Sequence, residues 1–330
     1  MADMLVDGKL STGTNSGLVN DGWANAKQGA AGLQTAINQA DAGDTLYLVR
    51  TFALTAAIDI DINQGDDGSP IRVIGYNYNE GSPVLDGSRA VVDAKGTVAN
   101  CIVVDGNNHW IWENIEFKNA TGSNLINNAV DNYARDWFFI NCISHGSVSG
   151  DGWGPGDSDF YDCRFFFCKA YDNGNDGINI YRGTIFGCTI NDNGRYGIYG
   201  RKTDTTNSVI YNNTSYGIFS DLGNNAASID NCVLNNNGNA AIYTEDIAYV
   251  IGCRITNHAV GILGDGGSTV FNFWNFFKDN TVNSSNITDI YTFRGEDTRI
   301  TNGVTGYTNV NNDNFNLMPD AAGRRKEIEI

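Results

Sequence analysis

Proline and positive charge are scarce in this chain of 330 residues: it has 4 Pro, and 21 Lys+Arg stand against 38 Asp+Glu, a formal net charge of −17. Such a field repels phosphate backbones and anionic bilayers, which excludes nucleic acid as an expected partner. No apolar run approaches the roughly 20 residues of a membrane-spanning helix, so insertion in a membrane is not expected either. The N-terminus, Met1-Ala2-Asp3-Met4-Leu5-Val6-Asp7, has no basic region followed by an apolar one. It reads as a protein synthesised in the cytoplasm without a signal peptide. The seven cysteines are odd in number and none stands in a CxxC pair, which points to reduced thiols rather than to a disulfide framework or a zinc site. Apolar positions nowhere recur in a stripe long enough for a helix pair, and this excludes helical repeats.

Glycine is abundant, with 39 residues, and the chain is 41% hydrophobic, enough to bury a sizeable core with frequent turns. A repeat organises it. Asn173 precedes Gly177-Ile178 by four residues, and the same spacing returns at Asn193 with Gly197-Ile198, Asn213 with Gly217-Ile218 and Asn257 with Gly261-Ile262; Asn237 with Ala241-Ile242 is a variant. Cys168, Cys188, Ser208 and Cys232 each stand five residues before their asparagine. Between these marks, segments such as Cys188-Thr189-Ile190 and Cys232-Val233-Leu234 alternate with period two, as strands do. Short strands at a fixed period of about twenty residues bury their faces only by stacking coil on coil.

These coils, with Asn114-Ile115-Glu116-Phe117 and Pro83-Val84-Leu85-Asp86-Gly87, resemble the parallel β-helix repeats of the pectin-lyase-like superfamily. The resemblance implies an all-β, single-stranded, right-handed parallel β-helix. That superfamily includes polysaccharide lyases, glycoside hydrolases, epimerases, adhesins and phage tailspikes, so the likeness alone selects no function. Leu33 to Ala40 reads as a short amphipathic helix of the kind that caps the open end of such a core. The expected organisation is an N-terminal segment and helical cap over 1–44, the β-helix over 45–302, and a C-terminal cap or arm over 303–330.

The repeating asparagines and cysteines read as stacking residues: amides hydrogen-bond along the solenoid, and small thiols fill it. Function then belongs outside. The position after each Gly-Ile or Ala-Ile points outward by strand alternation and holds Asn179, Tyr199, Phe219, Tyr243 and Leu263. Aromatics in line on an exterior face suit sugar stacking or a neighbouring subunit, or lie under a loop of the same chain. Beside them runs a charged line of Arg182, Arg201, Lys202, Asp221, Glu245, Asp246 and Asp265. A uronide lyase would use such cations and bases, and a glycosidase two such carboxyls; the same line also reads as solvated surface.

Ser144-His145-Gly146, with Asp151 following, resembles the Gly-His-Gly element of polygalacturonases but lacks the family's paired aspartates and its Arg-Ile-Lys element. Asp157, Asp159 and Asp162, and the turn at Asp66-Asp67, offer oxygens of the type Ca²⁺ takes, without matching a defined calcium loop. No cofactor is otherwise implied.

Two readings follow. The first is a non-enzymatic structural or attachment protein of a phage-like virion, of decoration, fibre or tailspike type, which contacts copies of itself or other virion subunits and takes a polysaccharide on its outer face. The second is an extracellular polysaccharide lyase or glycoside hydrolase acting on an acidic polysaccharide. The absence of a complete catalytic set favours the first.

Overall fold

The computed structural model describes residues 3–8, 26–61, 65–66, 68–79, 82–84, 89–127, 134–155, 160–221, 226–294, 318–319 and 325–326. Its core is a parallel β-solenoid of about ten coils, with one helix among the described residues. Each coil contributes one strand to each of three sheets, here faces one, two and three. In one coil, residues 183–186 lie on face one, Thr189–Asn191 on face two and residues 198–200 on face three, after which the strand Ile198–Thr206 runs on into face one.

Two sharp corners shape the coil, and both place one residue at positive φ. Between faces one and two that residue is Asn114, Asn141, Gly187, Asn207, Asn231 or Gly252, and in two coils Phe167 or Trp274; between faces two and three it is Asn119, Gly146, Asp172, Asp192, Asn212, Asn236, Asn257 or Asp279. Asn, Asp and Gly tolerate the left-handed region best, and this accounts for their abundance. Immediately after the first corner come Cys142, Cys168, Cys188, Ser208, Cys232 and Cys253. Their side chains donate to carbonyls of their own coil and its neighbour, as Cys168 Sγ does to Phe139 O at 3.2 Å and Phe166 O at 3.5 Å. All seven cysteines are buried free thiols.

After the second corner stand the stacked amides. Asn173 Nδ2 donates to Asn193 Oδ1 at 3.0 Å, Asn193 Nδ2 to Asn213 Oδ1 at 2.9 Å, and Asn213 Nδ2 to Asn237 Oδ1 at 2.9 Å. The next member is not Asn257. That residue is exposed and occupies the corner itself, with φ 62°, while buried His258 enters the row and Asn280 continues it. The spacing to the following Gly-Ile had masked a one-residue shift. The small residue of each repeat has a steric cause: a Cβ on Gly197 would lie 2.6 Å from Gly217 O and 2.8 Å from Asn213 Nδ2.

The interior changes character along the axis. Trp110, Trp112, Trp137, Phe139, Trp153 and Phe165 fill the early coils, and a stack of Ile178, Ile198, Ile218, Ile242 and Ile262 fills the later ones. At the N-terminal end, helix α1 (Gly29–Gln39) buries Leu33, Ala36 and Ile37. Gln34 Nε2 donates to Asp59 O and Gln34 Oε1 accepts from Asp59 N, both at 2.7 Å. The side-chain amide thus satisfies the open edge of the strand Ile58–Ile60 as another strand would. The strand Asp3–Asp7 precedes the helix and pairs in parallel with Thr45–Val49 on face one. Within 303–330, only the antiparallel pair Met318–Pro319 and Arg325–Lys326 is described.

Candidate functional site

The outer surface of face three carries the aromatic row. Parallel register places Tyr199 beside Phe219, Phe219 beside Tyr243, and Tyr243 beside Leu263. The rings stack, with centroids 5.2 Å apart for Tyr199 and Phe219 and 4.8 Å for Phe219 and Tyr243. A second row, which the repeat analysis missed, lies three residues earlier. Tyr196 and Tyr216 stack at 5.4 Å; Tyr196 reaches Phe219 at 4.9 Å, and Tyr216 reaches Tyr243 at 4.9 Å. Five half-buried rings therefore form a platform two rows wide. The signal was present, since Tyr196 and Tyr216 stand one residue before Gly197 and Gly217 and keep the period of twenty.

At one end of the platform the row closes. Asn179 is buried rather than outward and open, and its Nδ2 donates to Asp151 Oδ2 at 3.1 Å. Asp151 Oδ1 also accepts from Asn175 Nδ2 at 2.7 Å and from the Asp176 amide at 2.9 Å. Burial, then the neighbouring Asp176, pushes the Asp151 carboxyl up to about 6. Asp176 is wholly buried and grips Arg195 at 2.8 and 2.5 Å. The Arg195 guanidinium lies over the Tyr196 ring at 4.5 Å and near Tyr199 at 5.7 Å. Asp151, Asp176 and Arg195 thus hold one end of the platform.

The charged line runs along the corner between faces three and one, and Arg182, Arg201 and Asp221 of it are ion-paired. Asp221 Oδ2 accepts from the Tyr199 hydroxyl at 2.7 Å and from Arg201 Nε at 3.1 Å. Burial, followed by Asp221, pushes the Tyr199 phenol up to about 12. Arg201 also lies over Tyr181 at 5.0 Å, and Tyr181 stacks on Tyr161 at 4.3 Å. Arg182 is ion-paired with Asp162. Lys202 stands next to Arg182 in register and is exposed. Glu245 is half-buried beside Tyr243 and, after burial, helps raise its phenol. The arginines expected to meet a substrate carboxylate are already held by aspartates of this chain.

His145 sits elsewhere, on face two, and its site does not include Asp151. Register aligns Lys118, His145 and Tyr171. Glu116 Oε1 accepts from Lys118 Nζ at 2.9 Å and lies 3.1 Å from His145 Nε2, and the imidazole stacks on Tyr171 at 4.6 Å. His145, then Lys118, hold the Glu116 carboxyl down at about 2. These four side chains come from three coils, and only His145 was singled out from the sequence.

Asp157, Asp159 and Asp67 lie outside the described residues, Asp162 is spent on Arg182, and among the described residues no three His, Cys, Asp or Glu side chains converge as metal ligands. No helix among the described residues is long and apolar enough to cross a membrane.

No protein-family model matches this sequence, and no curated protein matches it. Solved structures do. Pectate lyase Pel9A is similar over 88% of this chain and 79% of its own, with 16% identity and a TM-score of 0.62. An alginate lyase from Paenibacillus sp. str. FPU-7 is similar over 78% of this chain and 96% of its own, at 14% identity and a TM-score of 0.56. ORF18 of Geobacillus virus E2 is similar over 78% of this chain and 56% of its own, at 13% identity and a TM-score of 0.54. At such identities the likeness is one of fold: the chain is a right-handed parallel β-helix, shared with polysaccharide lyases and with a phage protein.

Proposed function

We propose that this protein is an attachment protein of a phage-like particle that binds a neutral glycan along face three. The five-ring platform of Tyr196, Tyr199, Tyr216, Phe219 and Tyr243 carries this reading. Sugar rings present apolar C–H faces that stack on aromatics, and their hydroxyls donate to acceptors at the margin, here Asp221 and Glu245. Neutral sugars fit better than uronates, because Arg182, Arg195 and Arg201 are already ion-paired and the chain is strongly acidic. The fold shared with a phage protein supports the particle context.

The test is calorimetric titration with panels of neutral and uronate oligosaccharides. Binding of a neutral member is expected, and Phe219→Ala should weaken it roughly fivefold to tenfold, the worth of one stacked ring. Equal affinity in the triple variant Tyr199→Ala, Phe219→Ala, Tyr243→Ala rejects the platform.

A second reading, a polysaccharide lyase, is favoured by the Glu116, Lys118, His145 and Tyr171 group on face two. An imidazole oriented by a carboxylate and stacked on a phenol is a proton-transfer set. Release of unsaturated sugar ends that is lost in His145→Ala would establish it; no release from any uronate polymer would dismiss it.

A further inference from the structure

The outer surface of face one holds two apolar patches with a polar stretch between them. The first comprises Ile111, Phe138, Ile140, Phe166, Phe167 and Phe186; the second comprises Tyr249, Ile251, Phe271, Phe273 and Trp274. Between them the same columns carry Asp204, Thr206, Ser228 and Asp230. Phe167 and Trp274 are 58% and 46% exposed and occupy the first corner, at φ 57° and 55°. Elsewhere in these later coils that corner holds Asn or Gly. A bulky aromatic in the left-handed region costs about 1 kcal/mol or more, and an exposed ring returns little of it to the fold. Stacking of the coils does not require these two side chains.

We propose that face one is a self-association surface that pairs two copies of this chain with their solenoid axes antiparallel. The spacing selects a second copy as the occupant. Following the register from Phe167 through Gly187, Asn207, Asn231 and Gly252 to Trp274 takes five steps, about 24 Å at the inter-strand distance. A two-fold axis along the strand direction, placed between the Thr206 and Asp230 coils, sets Phe167 against the partner's Trp274 and Phe186 against the partner's Ile251. The same operation sets Arg164 over the partner's Phe271. At the centre it places Asp204 opposite the partner's Ser228 and Asp230 opposite the partner's Thr206, so each carboxylate meets a hydroxyl rather than another carboxylate. Isologous pairing of this kind needs one patch to complement the other, as these do. The proposal is independent of glycan binding, which uses face three.

Native mass spectrometry and sedimentation of the full chain test it. A dimer is expected at micromolar concentration. Phe167→Asn with Trp274→Asn should weaken that dimer at least tenfold without lowering the melting temperature of the dissociated monomer, because asparagine suits a positive φ. Ser228→Asp should also weaken it by facing the partner's Asp204, and adding Asp204→Lys should restore it. A monomeric wild type, a double variant that dimerises unchanged, or failure of the charge pair to restore association would each overturn the proposal.

Discussion

His258 Nε2 lies 3.1 Å from Asn237 Nδ2, so an imidazole occupies a place in the amide row that asparagine holds in the preceding coils. Its Nδ1 lies 3.2 Å from Asn280 Oδ1. The ring completes the row only when neutral, with Nδ1 donating to Asn280 and Nε2 accepting from Asn237. Protonation would aim an N–H at the Asn237 amino group.

A pH dependence of stability follows from that geometry. Burial lowers the His258 pKa from 6.5 to about 4, so the folded state binds fewer protons than the unfolded one between those values. The His258 contribution is complete above pH 6.5 and is lost as the pH falls toward 4, about 3 kcal/mol in all. Denaturant melts across this range should show the slope, and His258→Asn should remove it while keeping the fold. An identical slope in the variant would assign the effect to other groups.

The thiol row should be inert in the native state. All seven cysteines are buried out of reach of a reagent in the folded protein; burial pushes the Cys101 thiol up to about 12 and raises that of Cys168, while the contact with Cys253 lowers that of Cys232, which burial alone must then protect. Alkylation of folded protein at pH 8 is therefore expected to modify none of them, and unfolding should expose all seven. Cys188→Ser should cost less than about 2 kcal/mol, because Ser208 already fills the same position one coil later and donates to Thr206 O at 3.0 Å. Cys188→Leu should cost more, through overpacking.

Gly197→Ala tests the steric reason for the small residue. The added Cβ would meet backbone oxygen at 2.6 Å and an amide of the asparagine row at 2.8 Å. Loss of about 1–3 kcal/mol is expected from the melting transition. Gly96→Ala and Gly68→Ala make a control pair. Neither Cβ meets an atom within 4 Å, but Gly96 has φ 67° and should lose stability through its backbone alone.

Tyr199→Phe separates the hydroxyl from the ring. The variant keeps the stacking on Phe219 but releases Asp221 from its 2.7 Å hydrogen bond. Thermal stability should fall by about 1 kcal/mol, the usual worth of such a bond, while glycan affinity changes by less than it does in Tyr199→Ala. Calorimetry on the three proteins decides between ring and hydroxyl.

Much of this is legible in the sequence alone. The period from Asn173 to Asn237, the small residue four places on and the strand-like alternation established a stacked solenoid. Tyr199, Phe219 and Tyr243 were placed on one outer face because strand alternation follows from backbone geometry alone. Those features repeat along the sequence, so local spacing reveals them.

What the tertiary structure decided concerns neighbours across coils, which depend on the hydrogen-bond register between strands rather than on separation in sequence. The shift that brings His258 into the row instead of Asn257 is invisible to a motif counted from the following Gly-Ile. The pairing of Arg201 with Asp221, which also accepts from the Tyr199 hydroxyl, turned part of a line of apparent free charges into a support for the ring platform. Glu116, His145 and Tyr171 meet only because three coils of unequal length bring their strands into one register. The periodic sequence determined that the coils stack; the register of that stacking decided which side chains face each other and what they can bind.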